Sequence, residues 1–83
     1  MSVTANRRKA RREECTRIVL FLLDQKPNGW HFSELHLLVT QSMRSSITRG
    51  GLGLIMRPYF NNGVLVRERS SYHGVESHIW RKQ

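Results

Sequence analysis

The chain has 83 residues, room for one compact core and no second one. Its 39% hydrophobic and 24% charged content is ordinary for a globular chain, and a catalytic cleft with its own supporting shell is hard to fit, which disfavours an enzyme. Fourteen Lys and Arg against six Asp and Glu give a net charge of +8, and eleven of the fourteen are Arg, which points to a polyanionic partner.

Residues 1–6 read as a short flexible tail, with a single domain over 7–83. Arg7-Arg8-Lys9-Ala10-Arg11-Arg12 joins good helix formers to an apolar run in which Cys15, Ile18, Val19 and Leu22 recur at helical spacing. Leu20, Phe21 and Leu23 widen that face, and Pro27-Asn28-Gly29 stops the element. A first helix is expected over about 8–25. Trp30-His31-Phe32 then alternates as a very short strand would. Ser33 is a candidate N-cap, with Glu34 in the favourable first turn of a second helix over about 33–41. Leu35, Leu38 and Val39 form its apolar stripe, which Met43 would extend.

Residues 42–46 read as a polar turn in which Ser45 or Ser46 caps a third helix, about 46–60, with a start as late as Gly51 left open. Leu52, Ile55, Met56 and Tyr59 set the buried face. Gly50, Gly51 and Gly53 oppose a helix at about 1 kcal/mol each in an interior position, and Pro58 would break or kink the last turn. Asn61-Asn62-Gly63 ends the helix. Val64 to Arg69 and Val75 to Arg81 read as the arms of a β-hairpin over about 64–81. Its connection lies in Ser70 to Gly74 and takes two to five residues, which leaves the register open.

This order resembles the winged helix-turn-helix family, an α+β fold of three helices followed by a hairpin wing. The residues that carry the resemblance are Phe32-Ser33-Glu34-Leu35, Leu54-Ile55-Met56-Arg57, and the run Asn62-Gly63-Val64-Leu65-Val66-Arg67-Glu68-Arg69. It spans about residues 12–82; the order and spacing are more specific than any single motif. The resemblance implies a third helix in the DNA major groove and a wing on the backbone or minor groove. Arg44, Ser45, Ser46, Thr48, Arg49 and Arg57 would then belong to the recognition element, and Arg67, Arg69, Ser71, Tyr72 and His73 to the wing.

Charge placement supports that assignment independently. No acidic residue occurs between Glu34 and Glu68, whereas Arg44, Arg49 and Arg57 do. A groove-facing element must avoid carboxylates, which repel phosphates, and hydroxyls can bond phosphates or base edges. Arg7, Arg8, Lys9, Arg11 and Arg12 form the densest basic cluster; they would track phosphates, or else pair locally with Glu13 and Glu14. Arg67 and Arg69 share a strand face, as wing contacts or as edge charges that deter aggregation.

Cys15 is alone, which excludes an internal disulfide and suits an intracellular compartment, cytoplasmic or nucleoid-associated. The longest apolar run, Ile18 to Leu23, is far short of the ~20 residues of a membrane span. His31, His36, His73 and His78 lack the paired short spacing of a zinc site, and Gly50-Gly51-Leu52-Gly53 lacks the following Lys-Ser or Lys-Thr of a phosphate loop. Neither metal nor cofactor is expected. The leading expectation is a sequence-specific duplex-DNA binder acting as a transcriptional regulator. Two alternatives stand beside it: an RNA- or ribosome-binding protein, and an interaction module docking an acidic partner. A homodimer would use the first helix, through Phe21 or Leu20.

Overall fold

The structure, a computed structural model, describes residues 3–43 and 46–83, without the side chains of residues 3–6 and Tyr72. In chain order the elements are α1 (Val3–Gln25), β1 (Trp30–His31), α2 (Phe32–Ser42), α3 (Arg49–Asn61), β2 (Leu65–Tyr72) and β3 (Val75–Lys82). The result is an α+β fold of three helices and one three-stranded antiparallel sheet, with β3 central in the order β1-β3-β2. This element order is the one expected from the sequence. Arg44 and Ser45 lie outside the described residues.

Helix α1 begins at Val3, inside the stretch expected to be a tail, because nothing before Pro27 breaks a helix. Cys15, Val19 and Leu23, spaced by four, are buried; Ile18, Leu20 and Leu22 are half-buried beside them. Phe21 faces away, 61% exposed. The Trp30 indole N–H donates to the Leu22 carbonyl at 2.7 Å, satisfying one of the acceptors that a helix end leaves open. Gly29 follows with φ +95°, and a Cβ there would lie 2.7 Å from the Trp80 carbonyl oxygen. Only glycine lets the chain turn this tightly while β1 lies against β3. Two pairings, Trp30 with Trp80 and His31 with Ile79, join those strands.

Two capping expectations are corrected. Helix α2 starts at Phe32 with His31 in the cap position, so Ser33 lies inside the first turn and its hydroxyl instead accepts from the Arg49 guanidinium at 3.2 Å. Helix α3 starts at Arg49 rather than 46, and its cap is Thr48, whose hydroxyl accepts from the Gly51 N–H at 2.9 Å. Ser46 therefore does not cap, and its carbonyl takes a bond from the Arg11 guanidinium. Pro58 does not end α3 either. It sits one turn from the C-terminus, where it removes one intrahelical donor while the helix runs on to Asn61.

Leu35, Val39, Met43, Ile47, Leu52 and Met56 from the two helices and their connector meet the α1 stripe, with Leu65 and Trp80 closing the core from the sheet. The Trp80 indole stacks on Phe32 at 4.7 Å between centroids and meets Phe60 edge-on at 4.8 Å. It therefore binds the hairpin to the start of α2 and the end of α3 together. The hairpin takes the shortest of the connections the sequence allowed: pairing runs from Leu65–Lys82 to Tyr72–Val75, leaving only His73 and Gly74 in the turn. Both have positive φ, +53° and +79°, as a two-residue turn matched to strand twist requires.

Candidate nucleic-acid interface

The connector between α2 and α3 is held from both sides. Besides the Arg11 contact, the His36 Nε2–H donates to the Ile47 carbonyl at 2.6 Å, and Met43 and Ile47 are anchored in the core. The Thr48 cap and the Arg49–Ser33 bond then fix where α3 begins. This framework aims one face of α3 outward: Arg49, Gly50, Leu54 and Arg57 are exposed and Gly53 is half-exposed.

Hollows flank that face on both sides. Toward α1, one is lined by Arg8, Arg11, Arg12, Thr48, Leu54 and Ile55, and its continuation reaches Arg17, Pro58 and Tyr59. Toward the hairpin, two adjoining hollows of about 290 Å³ each share Gly50, Gly53, Arg67 and Trp80 as lining. Arg57 and Asn61 extend one of them; Phe32, Arg49 and His78 line the other. Glu13 is the one acidic residue lining any of these hollows among the described residues.

The register explains why the hairpin turns its bases toward α3. Arg67 pairs with Trp80 and Arg69 with His78, so these four share the face that begins at buried Leu65. Arg67 is held over the Phe60 ring, 5.2 Å from its centroid. Arg69 is further out, in an exposed ion pair with Glu76 at 3.2 Å. Such a pair is worth well under ~1 kcal/mol, so it screens Arg69 without locking it. Glu68 points to the opposite face and pairs with Arg81 at 2.7 Å, while Lys82 pairs with Asp24 at 2.6 Å. The carboxylates of the hairpin and the α1 C-terminus are thus matched to bases away from α3, apart from Glu76.

The expected site residues divide accordingly. Arg49, Arg57 and Arg67 come together around the outward face of α3, with Thr48 at its start and Arg8, Arg11 and Arg12 along its other flank. Arg7 and Lys9 are exposed on α1 but line none of the hollows. Ser46 and Ser71 are exposed, the latter opposite Glu76, and His73 sits at the hairpin tip. Arg44, Ser45 and the Tyr72 side chain lie outside the described residues. His78, Phe32, Phe60 and Trp80 were not expected at this surface. His78 and Trp80 arrive through a hairpin register that strand propensities alone do not contain, and Phe32 of α2 and Phe60 of α3 pack against Trp80.

The glycines of α3 differ from one another. At Gly51 a Cβ would lie 2.9 Å from the Thr48 hydroxyl, so the N-cap geometry accounts for it. At Gly50 and Gly53 a Cβ would meet nothing within 4 Å. Packing within the chain does not require either, although Gly53 in the helix interior costs about 1 kcal/mol relative to Ala.

No group of three or more His, Cys, Asp or Glu able to hold a metal occurs among the described residues, and no described helix is long and apolar enough to cross a membrane. No protein-family model, curated protein or solved structure matches the chain.

Proposed function

We propose that this chain is a winged-helix nucleic-acid-binding domain that seats duplex DNA across the outward face of α3, with the β2–β3 hairpin as its wing. The observation that carries this reading is the flanking of that face by arginines: Arg8, Arg11 and Arg12 from α1 on one side and Arg67 on the other, with Arg49 and Arg57 on α3 itself. Guanidinium groups disposed around a protruding helix suit phosphates on both sides of a groove. Counterion release from those phosphates would supply most of the affinity.

Binding of a labelled duplex, a hairpin RNA and single strands, compared at one salt concentration, tests the reading. Tightest binding to the duplex supports it; preference for the RNA would transfer the same surface to RNA recognition. Binding to none of them, with salt-insensitive binding to a protein, would remove the reading. A role as a transcriptional regulator further requires discrimination between sequences, which selection from a random duplex pool measures directly.

A further inference from the structure

We propose that the cleft between α3 and the hairpin grips the sugar–phosphate backbone of one nucleic-acid strand, so that affinity there depends on phosphates and shape and hardly on base sequence. This deepens the nucleic-acid reading above and rests on it. Three arginines converge on the cleft: Arg49 from the first turn of α3, Arg57 from its second half and Arg67 from β2. Two of them are already oriented in the chain itself. Arg49 is held by the Ser33 hydroxyl and Arg67 by the face of Phe60, so less side-chain freedom remains to be lost on binding. His78 and Trp80 form the opposite wall with Arg67, and no acidic residue lines this cleft among the described residues.

The α3 wall of the cleft is what separates backbone gripping from base reading. Gly50, Gly53 and Arg57, three and then four residues apart, lie on one side of the helix. At Gly50, Gly53 and the exposed Leu54 the helix offers no side-chain donor or acceptor for base readout; the polar α3 side chains here are Arg49, Arg57 and Asn61, and a guanidinium serves a phosphate as readily as a base edge. Bare backbone instead admits a bulky ribose or phosphate to van der Waals contact with the helix. The empty space around both glycines gives the same answer from the steric side, since nothing in the chain excludes a Cβ there.

The double variant Gly50→Ala/Gly53→Ala tests this in the intact chain, with thermal unfolding by circular dichroism and fluorescence anisotropy on labelled duplexes of unrelated sequence. Alanine favours the helix, so the melting temperature should rise by roughly 5 °C or more. Affinity should nevertheless fall by about tenfold or more on every duplex, because the added methyls hold the strand away. The unmodified chain should bind the unrelated duplexes within about threefold of one another. Arg67→Ala should weaken all of them by similar factors. Unchanged affinity of the glycine double variant, or strong discrimination by the unmodified chain, overturns the cleft assignment while leaving nucleic-acid binding intact. Absence of any binding by the unmodified chain overturns both.

Discussion

Replacing Gly29 with alanine probes the seam that fixes the hairpin against the helices. Its φ of +95° lies where an L-residue is strained, at about 1–2 kcal/mol. The new Cβ would also stand 2.6 Å from the Ile79 Cγ2, 2.7 Å from the Trp80 carbonyl oxygen and 3.0 Å from the Arg81 Cβ. The isoleucine methyl can rotate, but the carbonyl belongs to the central strand and cannot yield without breaking β1 pairing. Overpacking of this kind adds about 1–3 kcal/mol. The sum, about 3 kcal/mol, corresponds to a melting-temperature loss of roughly 12–24 °C in a domain of this size. Gly74→Ala is the control: φ is +79°, yet nothing lies within 4 Å of its Cβ, so only the conformational part applies. It should lose roughly 4–16 °C, less than Gly29→Ala in the same melts. Thermal melts of both variants check the difference, and equal losses would refute the steric argument.

Burial pushes the Cys15 thiol up from 9.0 to about 11, against the lowering effect of Arg11 and with a further push from Glu14. A raised pKa in the folded state means stability is whole below about pH 9 and declines as pH passes 9 toward 11. The decline, about 2–3 kcal/mol, should be missing in Cys15→Val when urea midpoints are compared across that range. Thr48→Ala removes the cap of α3 and should cost about 1 kcal/mol, with Thr48→Ser largely restoring it in the same melts. If Arg8, Arg12, Arg49, Arg57 and Arg67 neutralise about five phosphates, log affinity should fall against log salt with a slope near −4.5, by titration at several salt concentrations. A slope near zero would remove the duplex reading.

The parts of the fold that were legible in the sequence are those set by local chemistry. The α1 run, the stop at Pro27-Asn28-Gly29 and the stop at Asn61-Asn62-Gly63 each follow from residues within a turn of one another. The caps were harder, because Ser33, Ser45, Ser46 and Thr48 all carry an oxygen able to cap. What selected Thr48 was tertiary: burial of Ile47 and the His36 and Arg11 contacts to the connector decide where α3 starts. Pro58 reads as a helix breaker in the sequence, yet the loss of one bond near the end of α3 is small beside the burial of Leu52 and Met56. At the site, the basic residues were legible as charges, and only the hairpin register could bring His78 and Trp80 beside Gly50 and Gly53.

The placement of Trp80 also gives the molecule an optical handle. Its indole is 3% exposed and touches α2 through Phe32 and α3 through Phe60, while belonging to the central strand. The other tryptophan, Trp30, lies under the Lys26 ammonium at 4.1 Å and is tied to the end of α1. Trp30 and Trp80 are paired across β1 and β3, so their emission together reports on the seam between the sheet and the helices. A hairpin that lifts from the helices would shift Trp80 fluorescence toward the red, without waiting for the helices themselves to melt.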